Sequence, residues 1–324
     1  MREIEFRALI IGCGDAAGGY DLRGAEREVW THAKAYQLTP GVTLVAAVDS
    51  DSTRARQFAK AWQIPFYGTE LIPAIKETKP DLISICSPTN THVPLIKQLC
   101  RAGVRAILCE KPIAYDLPAA EQAVELCESE GVLLAVNYQR NWDRCLSRVE
   151  KAIRQSEFGR PELIRVLYSK GLIHNGSHFV SLLNRWFGEL EIDKILSARA
   201  HGRKDVNADF TATSPASSRI IFQSVPEQIC VLNEMEIFFE RGRLELRRGG
   251  LQVSWTKTDH DPLSPKDVSL AERPKRLSVS LARAMLEVIR NFTSAARGIA
   301  KLKSDAPAAL RTLRFCAGVR THAR

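Results

Sequence analysis

The sequence predicts an α/β chain that opens with a doubly wound parallel sheet and continues into a second domain of one-sided strands. Three observations carry this. An apolar run from Phe6 to Ile11 stops abruptly at a glycine-rich turn. Strand-like and helix-like segments then alternate up to about residue 136, the pattern of a parallel sheet with crossover helices. Beyond that, Glu236 to Thr256 alternates apolar and charged residues about a Gly249-Gly250 turn, which reads as an antiparallel meander.

Composition sets the frame. The 324 residues suffice for two domains with real cores, and 45% hydrophobic with 26% charged residues is ordinary globular usage. The start, Met1 to Glu5, carries acids and runs straight into a strand, so no secretory signal is expected; no apolar run approaches the ~18 residues of a spanning helix. A soluble, cytoplasmic protein without membrane contact is expected. Eight cysteines without a C-x-x-C pair suggest buried, reduced thiols. The net charge of +9 is dispersed and lacks an aromatic-basic pattern, so no nucleic-acid partner is expected.

Taken in order, Phe6 to Ile11 reads as a buried parallel strand. Gly12-Cys13-Gly14-Asp15-Ala16-Ala17 follows it, a G-x-G-x-x-A pattern. Glycines there let backbone N–H groups approach a pyrophosphate, and a small third residue permits close helix–strand packing. Alone, such a pair of glycines is also ordinary turn chemistry. Gly18 to Ala25 reads as a long loop before a helix over Glu26 to Leu38 with Val29, Trp30, Ala33 and Leu38 inward. Thr43 to Val48 is a second buried strand ending at Asp49. An acid there accepts hydrogen bonds from the ribose hydroxyls of a dinucleotide and repels a 2′-phosphate, favouring NAD over NADP. Asp49 lies 35 positions after Gly14, more than the compact motif has by about the length of the inserted loop. The alternative is that Asp49 caps the helix at Ser52 to Trp62.

Strands at Asp81 to Cys86, Val104 to Cys109 and Leu133 to Val136 alternate with helices at Leu71 to Thr78, Val93 to Ala102 and Leu117 to Glu130. Ligands of such a sheet lie at the carboxyl ends of the strands. Ser87-Pro88-Thr89-Asn90-Thr91-His92 follows one strand, and Glu110-Lys111-Pro112 follows the next. A lysine at a buried strand tip beside a cofactor crevice can exchange a proton with a substrate hydroxyl. An isolated turn with a salt bridge would read the same way.

Together, Gly12-Cys13-Gly14, Val48-Asp49, Ser87-Pro88 through His92, and Cys109-Glu110-Lys111-Pro112 resemble the Gfo/Idh/MocA family, the glucose-fructose oxidoreductase and inositol dehydrogenase superfamily. The resemblance implies an N-terminal Rossmann domain (1–140) and a C-terminal α/β domain (141–324) with a large, mostly antiparallel sheet, often an oligomer interface. It implies hydride transfer between nicotinamide and a sugar, polyol or sugar-nucleotide hydroxyl or ketone, with Lys111 near the reacting carbon. Cofactor contacts would come from Gly12, Cys13, Gly14, Asp15, Ala16, Ala17, Asp49, Ser87, Pro88, Thr89, His92, Glu110 and Lys111. A homodimer or homotetramer through the C-terminal sheet would follow.

Gly171 to His178, at the head of an apolar helical pattern, resembles the family's D-x-G-x-H segment. His178 holds the histidine place, but His174 stands where the family has aspartate, and Ser181 replaces a common acid. A carboxylate would orient the histidine and stabilise its cation; a second imidazole brings no fixed charge. Asn175 or a sugar group would compensate, or Lys111 would carry the proton chemistry. Lys111, His178 and His174 are the candidate catalytic residues, and Lys111, Tyr138, Arg140, His174, Asn175 and His178 the candidate substrate contacts. Histidines four apart share a helix face, but H-E-x-x-H is absent and no third ligand announces itself, so no metal is expected.

The remainder reads as a helix at Asp143 to Gln155, strands at Glu162 to Ser169, Lys194 to His201, Ser218 to Gln223 and Ile229 to Leu232, a loop at Asp259 to Arg276, and helices at Ser278 to Arg297 and Ala306 to Val319. Two other functions fit the same residues: an NAD-sensing regulator without catalysis, and a redox-neutral sugar-modifying enzyme holding NAD tightly.

Overall fold

A computed structural model describes residues 5–264 and 266–322, apart from the side chains of Ser217 and Ser218. Met1 to Ile4, on which most of the leader reading rests, lie outside the described residues. The chain divides into two compact units, Met1–Trp142 with Ala282–Leu310, and Asp143–Leu281 with Arg311–Arg324. The sequence reading gives all of 141–324 to the second domain, whereas the helix at 284–296 belongs to the first unit.

The first unit is built on six parallel strands: β1 (Phe6–Ile11), β2 (Val42–Val48), β3 (Phe66–Gly68), β4 (Leu82–Ile85), β5 (Ala106–Cys109) and β6 (Leu133–Val136). Their order is β3-β2-β1-β4-β5-β6. β4 and β5 are buried at every residue, because a parallel sheet is covered on both faces. The order reverses between β1 and β4, and ligand crevices of open α/β sheets form at that point.

The crossovers are α1 (Tyr20–Arg23), α2 (His32–Gln37), α3 (Ser52–Trp62), α4 (Leu71–Thr78), α5 (His92–Arg101) and α6 (Leu117–Ser129). The Asp51 carboxylate caps α3 by accepting from the N–H groups of Thr53 and Arg54, and Asp116 caps α6 through Ala119. β3 is a strand the sequence reading omits.

The largest departure lies between β1 and β2. In place of a loop and a helix over 26–38, a π-helical turn at Asp15–Gly19 runs directly into α1, and a second helix spans only α2. Asp21 explains this. Its side chain is fully buried, and its carboxylate accepts from the backbone N–H groups of Trp30 and Thr31 and from the Thr31 hydroxyl. The segment before α2 is therefore tied down as a turn, and Val29 N–H donates to the Ala282 carbonyl instead of to a helical partner. Leu38, expected inward, is 46% exposed, just beyond the helix end and two residues before Pro40. Helix α9 (Ala284–Ala296) packs in the same core, with Met285, Ile289 and Phe292 in one cluster with Phe6, Ile10, Val29 and Tyr36.

The second unit contains α7 (Arg144–Arg154), α8 (Ser177–Phe187) and nine strands: β7 (Pro161–Tyr168), β8 (Glu191–His201), β9 (Asp205–Ser214), β10 (Ser217–Ser224), β11 (Asn233–Phe239), β12 (Gly242–Arg247), β13 (Gln252–His260), β14 (Val268–Leu270) and β15 (Lys275–Leu277). The sheet order is β14-β13-β12-β11-β7-β10-β9-β8, with β15 on β13. Every pair is antiparallel except β7 with β10. Strand β9 is missing from the sequence reading although Val206, Ala208, Phe210 and Ala212 alternate into the core. Ile229 to Leu232 is no strand: Ile229 and Val231 are exposed, and pairing starts at Asn233. The expected loop at 259–276 contributes β14 and the start of β15. The inner face stacks Phe210 on Phe222 at 4.6 Å, with Phe315 of the last helix, α10 (Ala306–His322), beside both. The other face carries ion pairs, Arg165 to Glu236 and Arg247 to Glu234 and Glu245.

Among the described residues no helix is long and apolar enough to cross a membrane. Because Asp21 satisfies buried donors at the start of α2, Asp21→Ala should lower stability by roughly 1–2 kcal/mol, read as a lower urea midpoint with an unchanged slope.

Candidate functional site

The carboxyl ends of β1, β2, β4 and β5 bring most of the expected cofactor residues together within the first unit. Gly12 has φ +86°, and a Cβ there would lie 2.5 Å from the backbone nitrogen of Ser87, so the loops after β1 and β4 meet where no side chain fits. At Gly14 the same construction finds nothing within 4 Å, leaving an open cradle over the first helical turn. The N–H groups of that turn have no intrahelical acceptor, the arrangement that receives phosphates. This cradle fits a dinucleotide pyrophosphate. Ala17 is fully buried, as expected, and Gly18 lies close against α3, where a Cβ would run into Trp62 and Phe58. Asp15 is exposed and ion-paired with Arg23.

Asp49 is 6% exposed. Its Oδ2 accepts from Cys13 N–H at 2.8 Å and its Oδ1 from Asp51 N–H at 2.9 Å. It therefore locks the glycine loop to the end of β2, and the capping alternative falls to Asp51. Arg54, 55% exposed on its side chain, lies 3.4 Å from Asp49 Oδ1. Burial, reinforced by the Asp49 charge, pushes the Cys13 thiol up to about 12.

After β4, Ser87 Oγ pairs with Thr91 Oγ1 at 2.6 Å around a 3₁₀ turn at Thr89–Thr91 that contains the candidate Thr89. His92 is 1% exposed, so its ring lies beneath the surface. Nδ1 stands 2.9 Å from the Pro112 carbonyl oxygen and Nε2 2.8 Å from that of Ser87, pinning the β4 and β5 tips to each other. Burial lowers its pKa against those two carbonyls.

At the β5 tip, Glu110 Oε1 accepts from Asn137 Nδ2 at 2.6 Å and lies 2.9 Å from His32 Nε2, while Oε2 accepts from Lys111 N–H at 3.3 Å. Burial alone would raise this carboxyl, but the His32 bond and charge, Asn137 and the Lys111 cation outweigh it and hold it below the usual range. The ionised form is thus favoured by folding, a contribution present above 4.5 and lost as pH falls below it. The Lys111-Pro112 peptide is cis, and Lys111 is half-buried. Tyr138 is 2% exposed, a core residue; desolvation lowers the Arg140 guanidinium to about 10.

His174, Asn175 and His178 lie in the second unit. His174 is exposed within a π-helical turn at Leu172–Gly176, and His178, half-buried, is the second residue of α8. Asn175 is engaged locally: its Nδ2 donates to the Ser169 carbonyl and its Oδ1 accepts from Asn233. Ser181 is 6% exposed. The carboxylate that the sequence lacks at 174 enters from β9. Asp205 accepts from the backbone N–H groups of Ile173 and His174 at 2.8 and 2.9 Å, and a Cβ at Gly171 would collide with it. Burial raises its pKa, opposed by those N–H donors. It organises the turn through the backbone.

Sequence reasoning missed His32, Asp205 and Gly18. His32 was submerged in a helix drawn too long, and Asp205 in an unread strand whose Asp205-Val206-Asn207-Ala208 alternation was the available signal. Among the described residues no three metal-ligating side chains are gathered. All eight cysteines are free thiols, and Cys230 is the exposed one. Burial pushes Cys86, Cys109 and Cys316 well up as well as Cys13. A thiol titration of the native protein at about pH 8 should therefore find Cys230 reacting fast and Cys13 silent, with all eight reacting in denaturant.

A family model described as an oxidoreductase family with an NAD-binding Rossmann fold, GFO_IDH_MocA, matches residues 6–138. An inositol 2-dehydrogenase of Rhizobium meliloti is 32% identical over 147 residues, 45% of this chain and 44% of that protein. A D-apiose dehydrogenase of Paraburkholderia graminis is 27% identical over 221 residues, 68% of this chain and 56% of that protein. The matched stretches thus span about half the length of these relatives. Across nearly the whole chain, the fold is similar to that of a 3-ketoreductase from Actinomadura kijaniata, solved in complex with NADP and TDP-benzene: TM-score 0.77 at 18% identity, covering 98% of each chain. The strand order and the glycine turn agree with those similarities: residues 6–138 are similar to the NAD-binding Rossmann domain of the Gfo/Idh/MocA oxidoreductase family.

Proposed function

We propose that the chain is an NAD-dependent oxidoreductase that transfers a hydride between nicotinamide and a hydroxyl-bearing carbon of a sugar, polyol or sugar nucleotide. The observation that carries this reading is the ionised, half-buried Glu110 beside Lys111 at a strand tip two strands away from the glycine cradle. The names of the relatives, inositol and apiose dehydrogenases, support the substrate class.

When bound, the dinucleotide supplies the two-electron acceptor or donor. The N–H groups of Gly14 to Ala17 would hold its pyrophosphate, and Ser87, Pro88 and Thr89 would border it from the β4 side. Asp49 disfavours a 2′-phosphate, while Arg54 on the same oxygen works in the other direction; the buried carboxylate is the stronger constraint, and NAD is the assigned cofactor. As a neutral amine, Lys111 takes the hydroxyl proton of an alcohol; as a cation it returns that proton to a ketone. The Lys111 cation in turn helps keep the neighbouring Glu110 carboxylate ionised. His178 and His174 are assigned to the substrate through hydrogen bonds. Assembly as a homodimer or homotetramer through the charged face of the nine-stranded sheet, and a cytoplasmic location, complete the reading.

The first test is absorbance of reduced nicotinamide while protein with NAD or NADP is offered polyols, free sugars, uronic acids and nucleotide sugars. A rise with one class names the substrate; silence, with NAD binding confirmed, replaces this reading with a regulator or a redox-neutral enzyme. Lys111→Met should lower kcat by about 10²- to 10⁴-fold while NAD affinity, read by protein fluorescence, changes less than about threefold. Undiminished turnover in that variant removes Lys111 from the chemistry.

A further inference from the structure

Behind the β5 tip runs a line of buried polar groups that dinucleotide binding does not require. His32, the first residue of α2, is 0% exposed, with Nδ1 2.9 Å from Ser84 Oγ and Nε2 2.9 Å from Glu110 Oε1. Tyr36, one turn further along α2 and equally buried, places its hydroxyl 2.8 Å from the same Ser84 Oγ. Apolar side chains would fill this space without the cost of burying three polar groups, so the groups are tolerated because each has a partner.

The proton positions follow from the partners. Glu110 is ionised and accepts only, so His32 Nε2 carries a hydrogen. Nδ1 and Ser84 Oγ stand 2.9 Å apart, so the other side of the ring is held by the hydroxyl. Burial pushes the Tyr36 phenol up, so Tyr36 keeps its proton and donates to Ser84. The groups thus form one hydrogen-bonded line from Tyr36 through Ser84 and His32 to the carboxylate. Asn137 fastens Oε1 from the β6 side, which leaves Oε2 to accept from the backbone N–H of Lys111. A carboxylate held on one oxygen by two neighbours cannot rotate, and the charge it presents to the lysine stays in one place.

We propose that His32 is the positioning residue of this site: through Glu110 it fixes the negative charge that acts on the Lys111 amine, with Tyr36 and Ser84 holding the ring in place. The catalytic consequence rests on the dehydrogenase reading above; the structural claim does not.

Reductive ¹³C-methylation of the lysines, with the Lys111 signal assigned by Lys111→Arg, reads the amine whether or not the protein is active. His32→Leu should move the dimethyl-Lys111 resonance, and Ser84→Ala should move it the same way by less. His32→Gln, whose amide N–H reaches the place of Nε2, should leave it near the wild-type position. In turnover, His32→Leu should lower kcat by about 10- to 100-fold with the KM for NAD unchanged, and His32→Gln should recover most of the loss. A resonance unmoved by His32→Leu overturns the proposal; where that variant fails to fold, an unmoved resonance in Ser84→Ala, which barely changes core volume, overturns it equally. If none of the alcohols offered supports NAD reduction by the wild-type protein, the dehydrogenase reading ends, and the resonance still decides where His32 acts.

Discussion

The ligand end of the first unit depends on one close approach, that of the Gly12 backbone to Ser87. Strand order reverses between β1 and β4, so their outgoing loops diverge to opposite faces of the sheet, and the crevice lies where they part. The two loops can part at the base of that crevice only if residue 12 has no side chain and takes a positive φ. The neighbouring restraints build on it. Asp49 ties the next residue, Cys13, to the end of β2, and His92 ties the Ser87 carbonyl to Pro112 at the β5 tip. Lys111 is thus set by a continuous series of backbone anchors that begins at a glycine.

Buried carboxylates recur as the means of holding such loops. Asp21 gathers the donors ahead of α2, Asp49 those of the glycine loop, and Asp205 those of the turn before α8. Asp143 does the same at the start of α7, accepting from Leu146 and from Ser280. In each case the desolvation of a charge is offset by backbone N–H groups that would otherwise lack acceptors. Acids near a site are thereby engaged in its architecture, and a carboxylate in sequence is a poor guide to which acid meets a ligand. Glu110 differs because its principal partners are side chains, His32 and Asn137, and because its second oxygen is turned toward Lys111.

The second unit divides its sheet between two environments. Stacked phenylalanines line the covered face, while arginines and glutamates pair across β7, β11 and β12 on the other. The charges on that face are paired with opposite signs, so the surface presents ion pairs in place of a bare apolar sheet. Glu245, 6% exposed between Arg243 and Arg247, is the most enclosed of them.

What the sequence determined by itself was everything local. Apolar runs of strand length, helical periodicity, the glycine turn and Glu110-Lys111-Pro112 specify the parallel sheet, because side-chain periodicity and turn chemistry act over a few neighbouring residues. It began the helix at Glu26 in place of His32 and passed over β9, since both were decided by distant partners: Asp21 with α9 in one case, sheet neighbours β8 and β10 in the other. Only the tertiary structure decided which acceptor each buried donor would find. His32 meets Ser84 across 52 residues and Glu110 across 78, and Asp205 meets His174 across 31. No pattern of spacing encodes those pairings, because a hydrogen bond is satisfied by proximity in space, and proximity at such separations exists only after the sheets have formed.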